Sequence, residues 1–243
     1  MMSFISMVWQ SWLYLLGLGF IMPLLMNLLI SALTSQTVTL IVNRYGLRAQ
    51  SYWGCLGIIV HEGSHALFAL LFLHHIDQIR LFVAPKEAIT TTQLGYVAHS
   101  YHPHNLYQRL GNFFIGQAPF MGIIACMMLV TKWLWPQLFS PNLNFTVVTA
   151  GLTWWHLLLW LVMMISLSLG LNLSRADWHN TWSGSFLYVG LLMLVALLLT
   201  VVNPSFYLTY GLDWLATVGG FYLILFSLAL LVNLIVVLLT KAF

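Results

Sequence analysis

Long apolar stretches separated by short polar ones set the rhythm of this chain, and each stretch has the length of a bilayer rather than of a soluble core helix. Six of them run approximately Trp9–Leu33, Tyr52–Leu73, Gly111–Leu134, Val147–Asn172, Ser185–Val202 and Trp214–Leu239. Each is close to the roughly 20 residues that a helix needs to span a membrane. One intervening segment, Asp77 to Arg109, is long and patterned. Within it Gln78 to Ala84 reads as a strand, Pro85-Lys86-Glu87 as a turn and Thr91 to His99 as a second strand. The pattern predicts an all-α polytopic membrane protein, a single transmembrane domain over residues 1–243 with about six transmembrane helices. A small β-hairpin lies between the second and third of them.

Composition narrows this reading. The chain is 61% hydrophobic and only 5% charged, where a soluble domain carries about a quarter charged residues. It is therefore an integral, multi-pass protein in contact with the lipid bilayer. A net charge of +3, scattered along the chain, excludes nucleic acid as a partner. An even number of spans places both termini on one side. Arg44, Arg48 and Lys132 then fall on one face, and Arg80, Lys86, Arg109, Arg175 and Lys241 on the other, which favours cytoplasmic termini. Trp9, Trp12, Trp53, Trp133, Trp135 and Trp214 crowd the span ends as an interfacial belt. Cys55 and Cys126 lie in apolar stretches and read as buried thiols. The first apolar run has no basic residue before it and no small-residue cleavage site, so no cleavable signal is expected. Bare spans of this kind suit a bacterial plasma membrane. No pattern bears on oligomeric state.

The candidate chemistry sits inside the second span, where His61-Glu62-Gly63-Ser64-His65 spells H-E-x-x-H. On a helix, residues four apart share a face, so His61 and His65 can chelate one metal ion while Glu62 reaches a water as general base. Two imidazoles and a carboxylate at membrane depth are costly, which makes them functional suspects by default. A zinc hydrolase needs a third protein ligand and an open position. The candidates are Asp77, Asp177, Asp213, His99, His102, His104, His156 and His179. Asp177 stands out because Ser166 to Asn172 weakens helix continuity just before it, and the chain soon turns apolar again. That is the pattern of a helix that breaks, presents a carboxylate and re-enters the membrane. Asn112 and Gln117, polar amides in the third span, are candidates to contact a substrate carbonyl, with Pro119 locally freeing backbone carbonyls. The hairpin strand that carries Gly95 and Tyr96 could hold an unwound peptide by strand addition.

These residues resemble the site-2 protease family of intramembrane zinc metalloproteases: His61-Glu62-x-x-His65 in a membrane helix, a hairpin, another span, then an Asn-containing break followed by Asp. The resemblance runs from about Tyr52 to Ser185. It implies a catalytic core over about 52–185, with flanking spans 9–33, 185–202 and 214–239. It further implies His61, His65 and Asp177 as zinc ligands, Glu62 as catalytic acid and base, and a transmembrane segment of another membrane protein as substrate. The family usually has a proline-rich approach to Leu-Asp-Gly, where this chain has Asn172-Leu173-Ser174-Arg175-Ala176-Asp177-Trp178. With no soluble regulatory domain expected, the chain resembles a minimal member.

Two other classes fit parts of the pattern. Clustered histidines (His61/His65, His74/His75, His99/His102/His104) also mark membrane di-iron desaturases and hydroxylases. The second half of the chain, however, holds only the isolated His156 and His179. A non-catalytic metal-binding membrane protein or transporter would use broken helices and midplane polar groups as well, but the two halves show no repeat.

Overall fold

Lipid offers the backbone no hydrogen-bond partners, so a chain this apolar has to satisfy its amides internally, and it does so almost entirely with helices. The computed structural model describes residues 4–88, 93–139, 145–204 and 206–242. Helix α1 (Phe4–Leu16) runs through a π-helical turn, Gly17–Ile21, into α2 (Met22–Trp53). Then follow α3 (Cys55–Leu71), strands β1 (His75–Arg80) and β2 (Tyr96–Ser100), α4 (Leu106–Leu134) and a short α5 (Phe145–Thr149). The chain ends in α6 (Trp154–Ser168), α7 (Arg175–Val202) and α8 (Phe206–Ala242).

Among the described residues four stretches are long and apolar enough to cross a membrane: Phe4–Trp53, Leu106–Leu134, Arg175–Val202 and Tyr210–Leu238. The second and fourth predicted spans appear as the shorter α3 and α6, of 17 and 15 residues. At 1.5 Å per residue they are about 25 and 22 Å long, less than the ~30 Å of a hydrocarbon core. Helix α4 sits at the centre, packed on α3, α6 and α7, while α2 packs on α8. Ile30, Phe120, Ile123, Met127, Met164, Leu167 and Leu225 interlock where α2, α4, α6 and α8 meet.

Three boundaries differ from the sequence reading. The polar stretch between Leu33 and Tyr52, expected to connect two spans, stays helical and departs from helical geometry only at Gly46, whose φ is +79°. Its hydroxyls need no water, because Thr37 and Thr39 donate to the carbonyls of Leu33 and Ser35 at 3.0 and 2.8 Å. Asn233 of α8 donates to the Thr37 hydroxyl at 2.8 Å, which ties this part of α2 into the bundle.

The hairpin is antiparallel as expected, but its ladder lies nearer the membrane helices, pairing His75 with Ser100 and Arg80 with Tyr96. Beyond Arg80 the Val83 amide donates to the Leu94 carbonyl, while Ser51 donates to the Val83 carbonyl. Pro85 to Ala88 form the predicted turn, and Glu87 pairs with Arg80. Thr91 and Thr92, read as the start of the second strand, lie outside the described residues.

Helix α7 begins at Arg175, well before Ser185. Ser174 and Asp177 form a capping box that starts it: the Ser174 hydroxyl accepts from the Asp177 amide at 3.2 Å, and the Asp177 carboxylate from the Ser174 amide at 2.6 Å.

Candidate metal centre

Helix α3 places His61 and His65 one turn apart, with Nε2 to Nε2 at 3.3 Å and ring centroids at 4.9 Å. Each ring is oriented through its other nitrogen, which donates to a backbone carbonyl: His61 Nδ1 to Gly170 at 2.9 Å, His65 Nδ1 to Ile115 at 2.9 Å. Carbonyls inside regular helices are already taken, so both acceptors need a reason to be free. Ile115 is four residues before Pro119 in α4, and proline has no N–H to offer the carbonyl four positions back. Gly170 lies past the end of α6, in the non-helical stretch before α7. That stretch is held in turn by Ser31 of α2, whose hydroxyl accepts from the Leu173 amide at 2.8 Å.

Close backbone approach brings these parts together. A Cβ on Gly57 would lie 2.5 Å from the Ser166 carbonyl and 2.7 Å from the Gly170 nitrogen, so α3 can touch the end of α6 only with glycine there. Gly57 is one turn before His61, which places the Gly170 carbonyl against the His61 ring. Gly116 plays the same part between α4 and α7: a Cβ would meet the Asp177 carbonyl at 2.4 Å and the Thr181 hydroxyl at 2.3 Å. The first turn of α7 is thereby pressed towards α3. Asp177 Oδ1 reaches His65 Nε2 at 3.0 Å, and Oδ2 lies 3.9 Å from His61 Nε2. The break that presents a carboxylate therefore exists, and Asp177 both caps α7 and closes the histidine pair.

The donor set fits a cation. With both Nδ1–H groups spent on carbonyls, each neutral ring presents an Nε2 lone pair, and Asp177 presents only lone pairs. With neutral rings three acceptors thus converge, with all ligand atoms within 4.8 Å of one another. Two ligands of a tetrahedral ion with bonds of about 2.0–2.1 Å lie about 3.3 Å apart, close to the spacing of these atoms. Among the described residues this is the one such group of three. Of the other candidate ligands, Asp77 accepts from the Ser100 hydroxyl and His156 pairs with the Thr153 hydroxyl.

The three groups line a cavity of about 440 Å³ together with Glu62, Gly95, Tyr96, His99, Asn172, Asn180 and Gln50. The positions singled out in the hairpin, Gly95 and Tyr96, thus do face the centre. Gly95 is pressed on Glu62: a Cβ there would come within 2.7 Å of the Glu62 Cγ. Gln117 and Asn112 require correction, because neither lines the cavity. Gln117 is used between helices, accepting from Asn27 at 2.7 Å and donating to the Thr181 hydroxyl at 2.9 Å. Asn112 is buried in α4, and its Oδ1 has no hydrogen-bond partner among the described residues. The amides that do face the cavity are Gln50, Gln93, Asn172 and Asn180. Asn180 carried a signal in its spacing, since three residues after Asp177 is the same face of a helix. Gln50 carried none, because it lies in the polar stretch read as a connection between two spans.

A second histidine pair lies beside the first. His74 and His99 face each other, Nδ1 to Nδ1, at 3.0 Å; His74 Nε2 donates to the Gln108 carbonyl at 2.9 Å, and Asn180 Nδ2 lies 3.4 Å from His99 Nε2. Burial, then the neighbouring His74 and His65 rings, push His99 down to about 4, and burial lowers His74 as well. Comparison with protein-family models, curated proteins and solved structures finds no match to this chain.

Proposed function

We propose that the protein is a zinc-dependent intramembrane endopeptidase, a minimal relative of the site-2 proteases, that hydrolyses a peptide bond in or near a transmembrane segment of another membrane protein. The observation that carries this reading is the convergence of ligand atoms from His61, His65 and Asp177 on a cavity that Glu62 also lines. Zinc bound by these three residues would supply a Lewis acid that activates water and polarises a substrate carbonyl. Glu62 accepts the proton of the attacking water and returns it to the departing amine. The walls of β2 and α7 flank the peptide and orient it. The second hairpin strand, where Tyr96 and the adjoining Gly95 line the cavity, offers its open edge to an extended chain. Helices α3 and α6, though short, complete a six-span arrangement in which the hairpin fills the depth that α3 leaves.

The iron-oxidase reading draws less support, because His74 and His99 spend their facing nitrogens on each other rather than on an open site. Co-reconstitution with a single-span reporter protein tests the proposal. The wild type is expected to release a cleaved reporter. Glu62→Gln, which keeps the shape and the ligands but removes the base, is expected to be at least ~10²-fold slower. Equal release by both would overturn the proposal.

A further inference from the structure

The His74–His99 pair has a hydrogen-bond order that can be read from its end. The Gln108 carbonyl can only accept, so His74 Nε2 carries the proton and His74 Nδ1 is a lone pair. His99 Nδ1 must then donate to it across 3.0 Å, which leaves His99 Nε2 as an acceptor. The group facing it, 3.4 Å away, is therefore the NH2 of Asn180 and not its carbonyl. Every nitrogen is satisfied with both rings neutral. The anchor of this chain is rigid. Gln108 is buried in the first turn of α4, where its side chain donates to the Leu73 carbonyl at 2.6 Å and accepts from the His102 amide at 2.7 Å. His74 also stacks on Tyr101, with centroids at 5.1 Å. One N–H of the Asn180 amide thus faces His99, and Asn180 lines the cavity together with Glu62 and the three ligands, so its second N–H is the donor it can offer there. Asn180 stands one turn beyond Asp177 on the same face of α7.

We propose that Asn180 is a substrate-binding residue that donates a hydrogen bond to the oxygen of the scissile carbonyl, and that His99 and His74 are positioning residues that hold its amide in that orientation. The proposal rests on the protease reading above. A donor aimed where charge develops on a carbonyl oxygen is worth about 10²–10³ in rate, and an amide held by a neutral imidazole needs no reorganisation to act.

Two single-span peptides, identical but for one bond, test it in vesicles with zinc-loaded full-length protein. One carries a phosphinate, a tetrahedral anionic mimic of the hydrated peptide bond; the other carries a reduced CH2–NH bond, which has no oxygen to receive a proton. For Asn180→Leu the expected result is ~10²-fold weaker phosphinate binding, unchanged binding of the reduced-bond peptide and unchanged zinc content. His99→Leu should show the same selective loss. His99→Gln, which can still accept from Asn180 and donate to His74, should recover most of it. Equal weakening towards both peptides, or none towards either, overturns the proposal while leaving the zinc site standing. A wild type that holds zinc but does not prefer the phosphinate overturns the protease reading and this assignment together.

Discussion

At Pro119 a missing N–H frees the Ile115 carbonyl, and that carbonyl holds the His65 ring through Nδ1. Pro119→Ala would restore an amide able to claim the same carbonyl within α4. The helix gains a hydrogen bond while His65 loses its orienting partner, so the expected outcome is metal binding weakened about 10- to 100-fold without loss of fold. Competition with a graded series of chelators measures it; unchanged affinity would mean that the Ile115 contact is dispensable. At this scale the sequence was legible where spacing alone decides, as for His61 and His65, which four-residue spacing puts on one face whatever surrounds them. It was illegible for Gln117, because a buried amide takes its role from the helix across from it. Here two helices meet it, α7 with Thr181 and α2 with Asn27.

Elements meet at this centre through glycine. The contact of Gly57 with Ser166 and Gly170 leaves no room for a methyl group, so Gly57→Ala must push α3 away from the end of α6. Overpacking of this kind costs about 1–3 kcal/mol, and it also draws His61 off the Gly170 carbonyl. A lower melting temperature and weaker zinc binding should therefore appear together, and a loss of only one of them would contradict the coupling.

The hairpin makes a separate prediction. His99 is held near 4, against about 6.5 in an unfolded chain, so between those values the unfolded state binds more protons and stability falls as the pH falls. The groups acting on His99 are the His74 and His65 rings, which disfavour its protonation, and the Asp77 and Asp177 carboxylates, which favour it. Melting of the metal-free protein in detergent should drop more steeply from pH 6.5 to 4.5 for the wild type than for His99→Gln; parallel curves would count against a neutral His99. The hairpin and the break before α7 were legible from turn residues and from weakened helix continuity. The early start of α7 was hidden because its first turns, Arg175 to Ser183, are largely polar and break the apolar run, although Ser174 and Asp177 have the spacing of a capping box. The helical course of 34–52 was hidden for a related reason, since hydroxyls that bond back to their own helix look like loop chemistry in a sequence.

For the whole molecule, the centre gathers α3, α4 and α7, with the α6–α7 segment steadying His61, so metal and fold are expected to stabilise each other. A ligand present at 100 times its Kd adds about 2.7 kcal/mol, and chelation of the purified protein should lower its melting temperature accordingly. The membrane character of the chain was legible at once, because composition and apolar length need no tertiary information. The meeting of Asp177 with the histidines was legible only as a pattern, since the approach of α7 to α3 depends on glycine contacts between elements far apart in sequence. The most direct test is the metal content of detergent-purified protein, wild type beside Glu62→Gln and His65→Ala. About one zinc per chain in the first two and none in the third is the predicted result; no zinc in the wild type even after zinc is supplied, or about two irons in its place, would contradict the account.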